Sequence, residues 1–241
     1  MSPTSVADVI TRMRAIGAHL PAGDGAGVFN GVYLRVTEMM LDRLTTGGLF
    51  HDDAFVTDLD VRFASYWFDA YDAGGDKPKA WAPLFAARTR PAILPIQFAL
   101  AGMNAHINHD LALALIKTNT QMNLDPSLQS PEHDDYQRVN GILADVLPKA
   151  LTFLATGILG QAAQDTGKIG QLLAIWDVGV ARDAAWDFGN YLRGLPAVAQ
   201  TVALEAQDKV TGLAGRGLLL QLRSQMTSSS TSWPSSVMTK S

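Results

Sequence analysis

The chain has no cysteine. That excludes disulfides, thiolate metal ligands and a cysteine nucleophile. Charge is scarce as well. Charged residues fill 17% of the 241 positions, and the net charge is −4. No stretch is basic enough to hold nucleic acid or an anionic membrane surface. No apolar run reaches about 18 residues without a polar break, so no membrane span is expected. The first residues, MSPTSVADVITRMRAIGAHL, lack the apolar core and cleavage signature of a signal peptide. The expected location is therefore the cytoplasm. Sustained β-type alternation is missing, and so is any fixed-period repeat. There is no glycine-rich phosphate loop, no G-x-S-x-G elbow and no dinucleotide fingerprint. Nothing in the sequence speaks to oligomeric state.

What the chain does have is apolar side chains, 47% of the total, at helical spacing. Thr4 or Ser5 can cap a helix running to about Ile16, and a second reads from Gly27 to Leu44. Gly47 and Gly48 can end it. Asp52 or Asp53 can cap a third, about Ala54 to Tyr71. A short helix falls near Trp81 to Ala87, and a long one covers Pro91 to Thr118. Further helices read from about Asp134 to Thr156, where Pro148 would put a kink, then Lys168 to Leu192 and Ala197 to Ser224. The expected fold is all-α, a single-domain helical bundle of about seven or eight helices over residues 1–224. Residues 225–241, rich in serine and threonine, read as a disordered tail.

The helix from Pro91 to Thr118 carries the chemistry. Asn104, His106, Asn108, His109 and Asp110 interrupt an otherwise apolar run. Buried without partners, such groups are costly, so they should be hydrogen-bonded, metal-bound or turned to a cavity. His106, His109 and Asp110 share a helical face. They can supply ligands to a divalent metal such as zinc, iron or manganese, with His51, Asp52, Asp53, His133 and Asp134 as candidates to complete the shell. The plain alternative is a pair of core histidines with Asp110 fixing a tautomer. Asn104 and Asn108 can tie helices together or orient a polar ligand. Arg138 can pair with Asp110 or clamp an anion. Asn30, Tyr33 and Asn140 are candidates for binding a substrate. The aromatic residues Tyr66, Trp67, Phe68, Tyr71, Trp81, Phe85, Trp176 and Trp186 serve as core or as pocket lining. Asp58, Asp60, Asp69 and Asp72 follow no diphosphate-binding pattern and read as a solvated face.

GMNAHINHDL, with FNGVYLRVTE upstream and HDDYQRVNGILADVLP downstream, resembles a bacterial family of unknown function, DUF5995, common in actinobacteria. The resemblance covers about Gly25 to Arg193. Its core, N-A-H-I-N-x-D-L, leaves position 109 loose. It thereby implies a shared site at Asn104, His106, Asn108 and Asp110, and names no reaction. The expected function is an enzyme on a small molecule, with His106, Asp110, Asn104 and Arg138 as its working residues. Metal-assisted hydrolysis is the first form. A metal-free cyclase or lyase acting on an apolar intermediate, and a binding protein without chemistry, are the alternatives.

Overall fold

The computed structural model describes residues 2–125, 127–156 and 177–228. All secondary structure among them is helical. Helix α1 (Val6–His19) starts at a Ser5 capping box: the Asp8 amide donates to Ser5 Oγ, and Asp8 accepts from the Ser5 amide, both at 3.1 Å. Asp24 caps α2 (Gly25–Thr46), accepting from the Ala26 and Gly27 amides. The buried Asp24 carboxylate also takes the Arg88 guanidinium at 2.8 Å. Gly47 ends α2 at φ +72°, where a Cβ would be strained. Asp52 then caps α3 (Asp53–Asp72).

After the short α4 (Ala82–Ala87) comes the central helix, and here the structure corrects the expected boundaries. It begins at Pro95, not Pro91. Leu94 precedes a proline and is held extended, at ψ 145°, which bars the helix from starting earlier. The helix is also not uniform. Helix α5 (Pro95–Ala105) leads into one π-helical turn, His106–Asp110, and then α6 (Leu111–Gln121). Helix α7 (Pro131–Thr156) contains Pro148. Helix α8 spans Val178–Arg193, and α9 runs Ala197–Ser228, through the start of the expected tail. The rest of that tail, residues 229–241, lies outside the described residues, as do residues 168–176 of the expected helix and Trp176.

Counting α5, the π turn and α6 as one, eight helices surround a single core among the described residues. Helix α5 packs on α2 and α9, α6 on α3 and α8, and α7 crosses α2. The central helix is thus enclosed through its first half, where every residue from Ile96 to Ile107 is buried. Trp67, Trp81 and Trp186 are fully buried. Phe29 meets both Trp67 and Trp81 edge-on, with ring centres at 5.0 and 5.2 Å. Gln97, Asn104 and Asn108 form a polar seam to α9. Gln97 donates to the Leu218 carbonyl at 3.0 Å and Asn104 to the Thr211 carbonyl at 2.9 Å; Gln207 donates to the Asn108 carbonyl at 2.5 Å.

The α2–α3 turn is held from α7. The fully buried Asp135 carboxylate accepts the His51 and Asp52 amides at 2.8 Å. Arg138 donates to the Leu49 carbonyl and reaches His51 and Asp134.

Helices α2 and α5 cross where Gly102 leaves room for the Phe29 ring, since a Cβ on Gly102 would overlap it. Gly102→Ala is therefore expected to destabilise the protein by about 2 kcal/mol or more, read as a fall in Tm, because Phe29 is wedged between two tryptophans and cannot yield. Phe29→Leu combined with Gly102→Ala should recover part of that loss.

Candidate functional site

The π turn sets the geometry. It closes through the Leu111 amide on the His106 carbonyl, and within it Asp110 meets both histidines of the segment. His106 Nδ1 lies 2.9 Å from Asp110 Oδ2, and His109 Nδ1 lies 2.7 Å from Asp110 Oδ1. From α4's N-terminal edge, the buried Trp81 indole N–H donates to Asp110 Oδ2 at 3.0 Å. Asp110 is 1% exposed. Burial works to raise its pKa, but the hydrogen bonds and charge of the two histidines prevail and hold it below the ordinary value. It is a carboxylate, an acceptor only, so each facing imidazole nitrogen carries the hydrogen.

The two histidines then part company. His106 is enclosed, stacked on Phe63 at 3.5 Å and 7°, with Tyr33, Phe29 and Trp81 around its edge. Burial lowers its pKa, and Asp110 only partly offsets that. His106 is neutral near pH 7, with Nδ1 protonated and Nε2 a bare lone pair. For His109 burial also opposes charge, but Asp110 outweighs it, helped by Asp208 at 3.6 Å, and its pKa is raised. His109 is the counter-ion that keeps Asp110 ionised.

Among the described residues, five buried side-chain polar atoms have no hydrogen-bond partner. Three of them, Tyr33 Oη, Asp60 Oδ2 and His106 Nε2, belong to residues lining one cavity. Its volume is about 80 Å³, several times the roughly 10–15 Å³ that a water needs. Val32, Val36, Leu59, Phe63, Ile107, Val139 and Leu143 make most of its wall apolar, and Arg182 contributes from α8. Asp60 is only partly buried as a residue, but Oδ2 is sealed off. Burial lifts its pKa to about 7. Tyr33 is raised well above its ordinary value, by burial first and then by the charges of Asp60 and Asp110. A larger surface groove of about 780 Å³ runs beside α3, but its walls include the already paired Asp58 and Arg62.

Of the candidates named from sequence, the structure brings His106 and Tyr33 to this cavity, with Asp110 hydrogen-bonded to His106. It places others elsewhere. Asn104 and Asn108 turn to α9, with Asn108 donating to Asn104 Oδ1 at 3.1 Å. Asn30 donates to the Met13 carbonyl and accepts from Trp67, tying α1 and α3 to α2. Arg138 neither reaches Asp110 nor lines the cavity, because its guanidinium is spent on the α2–α3 turn. Asn140 accepts from Arg182 at 2.6 Å and so acts behind the cavity wall. The Nδ1 atoms of His106 and His109 both turn on Asp110, while His109 Nε2 lies 3.6 Å from Asp208. Among the described residues no group of three histidine, aspartate or glutamate side chains is arranged to hold a metal ion. His51 and Asp134 form a separate, exposed pair, while Asp52 caps α3.

Sequence reasoning missed Asp60, Arg182 and Phe63. The signal for Asp60 was present: Val56, Asp60, Phe63 and Trp67 follow helical spacing, so this aspartate occupies a slot of the apolar stripe. Of the aromatic residues read as core or pocket lining, Trp67, Phe68, Trp81 and Trp186 are core, and none among the described residues lines this cavity; Phe29, Tyr33, Phe55, Phe63 and Tyr136 do.

A family described as of unknown function, DUF5995, matches residues 6–221. The chain belongs to that family. The match extends beyond the Gly25–Arg193 span of the resemblance at both ends and takes in α1 and most of α9. No curated protein and no solved structure matches the chain. Among the described residues no helix is long and apolar enough to cross a membrane.

Asp60 gives a test of the cavity's electrostatics. Its folded pKa, about 7, stands above the unfolded value of 3.8. Between those values the unfolded chain has released the proton and the folded chain keeps it, so stability falls as pH rises from 4 to 7 and levels off above. Asp60→Asn is expected to remove that slope and to raise stability at pH 8 by on the order of 2 kcal/mol. Thermal melts at pH 5 and pH 8 check this, and unchanged pH dependence in the variant would refute the buried, unpaired carboxyl.

Proposed function

We propose that the chain is an enzyme that moves a proton on a small, mostly apolar molecule held in this cavity, without a metal. The supporting observation is that three residues lining one apolar-walled cavity, His106, Tyr33 and Asp60, each carry a buried polar atom without a hydrogen-bond partner. Native proteins leave few buried polar atoms unpaired, and three on the residues lining one cavity favour a site that water or a ligand completes. His106 is the general base. Asp110 is a positioning residue that fixes the tautomer and supports the imidazolium as it forms. Tyr33 and protonated Asp60 are donors for charge that develops on the substrate as the proton leaves. The apolar wall excludes water and strengthens each of these interactions.

Hydrolysis through a serine, threonine, lysine or cysteine nucleophile is less well supported, since among the described residues none of these lines the cavity. Isomerisation, elimination and cyclisation use a base together with a proton donor, and His106 with Tyr33 and Asp60 supplies both.

The test is proton–deuterium exchange at the carbon beside the carbonyl of small ketones, hexan-2-one first, in deuterated buffer. The protein is expected to accelerate exchange, and His106→Gln to lose on the order of 10²-fold or more of that rate while melting as a folded protein. The pH profile should have its acid limb below the usual histidine value, because His106 is lowered, and its alkaline limb near 7, because Asp60 must be protonated. Asp60→Asn should erase the alkaline limb alone. A folded His106→Gln protein that exchanges at the wild-type rate would overturn the proposal.

A further inference from the structure

Arg182 is a charged side chain that the proton-transfer reading leaves unused. It is 5% exposed and lines the same cavity from α8. A guanidinium taken out of water needs compensation. Its partners here are neutral. Nε donates to Asn140 Oδ1 at 2.6 Å, one Nη2 proton goes to the Tyr136 carbonyl at 2.7 Å, and the group lies 4.0 Å over the Tyr136 ring. The neighbouring Asp183 is turned to Gln137, whose amide donates to it at 2.6 Å. Among the described residues no carboxylate forms an ion pair with Arg182, and Nη1 makes no hydrogen bond. The side edge of the fork is thus fixed to the protein. Its end, Nη1 with the remaining Nη2 proton, is free for a ligand.

This arrangement is rigid as well as open. Tyr136 donates its hydroxyl to the Arg182 carbonyl at 2.6 Å, so the two residues lock each other. Asn140 is held in turn by Gln137 at 2.7 Å. A planar fork held at one edge suits a planar two-oxygen anion at the other, and one positive charge matches one negative charge. A phosphate dianion would call for further donors, and the rest of this wall is Val139, Leu143 and Leu147.

Resting on the proton-transfer reading, we propose that the substrate of this cavity is a small aliphatic carboxylate. Its acid group sits on the Arg182 end of the cavity, against α7 and α8. Its chain runs along the apolar wall, and its reacting carbon meets His106 on the side formed by α2, α3 and the central helix.

Calorimetry at pH 6 with three probes of one chain length tests the class: hexanoate, hexan-1-ol and hexylammonium. Hexanoate is expected to bind about tenfold or more tightly than hexan-1-ol, with hexylammonium the weakest, as a charge-assisted hydrogen bond demands. Arg182→Met should level hexanoate with hexan-1-ol while leaving the alcohol's affinity unchanged. If that variant fails to fold, Arg182→Lys keeps the charge but loses the fork, and should narrow the ratio severalfold. Equal affinity for acid and alcohol, or a preference for the ammonium, would overturn the proposal. The exchange assay separates the two readings. If hexan-2-one exchanges but 5-oxohexanoate does so no faster at low concentration, the carboxylate site fails and the base stands. If hexanoate binds wild type and His106→Gln alike and neither exchanges any ketone, the base fails and the carboxylate site stands.

Discussion

The structure depends on one buried carboxylate. Asp110 takes hydrogen bonds from Trp81, His106 and His109, and it does so at the centre of a bundle where an unpaired charge would be costly. Each donor comes from a different direction: Trp81 from the edge of α4, His106 from one turn back, His109 from the adjacent position. Removing the carboxylate would orphan all three donors and leave the His109 charge without its main partner. All three histidine and aspartate positions lie in the single π-helical turn, a rare local geometry often found at functional sites.

Around that centre the polar groups divide into two kinds. Gln97, Asn104, Asn30 and Asp135 are satisfied by backbone groups of neighbouring helices, and they set which helix lies against which. Tyr33, Asp60 and His106 keep an unpartnered atom toward an apolar cavity. The first kind stabilises. The second, buried without a partner, costs stability. Arg182 belongs between the two, tied to the protein by one edge and open at the other.

Much of the frame was legible in the chain. Helical spacing without β alternation gave the all-α class, and the caps at Ser5 and Asp52 and the stop at Gly47 stand where short-range rules put them. These depend on contacts within a few residues, so local sequence suffices. The central polar segment was equally plain, because five polar residues in an apolar run admit few explanations. Asp60 was readable in principle from its place in an apolar stripe, but charge on a helix is so commonly solvated that the stripe was overlooked.

The sequence by itself determined the all-α class, the caps at Ser5 and Asp52, the pairing of His106 with Asp110 one turn away, and the lack of any thiol. Only the tertiary structure decided which polar groups are spent and which are free. Asn104 and Arg138 look as reactive in the sequence as His106 does. Each satisfies a carbonyl more than 80 positions away, on α9 and beyond α2 respectively. Arg182, set in an ordinary amphipathic helix, becomes part of the cavity wall because α7 and α8 close over it. A side chain's chemistry is set by the partners it lacks as much as by those it has. Long-range packing, which no local pattern encodes, supplies or withholds those partners.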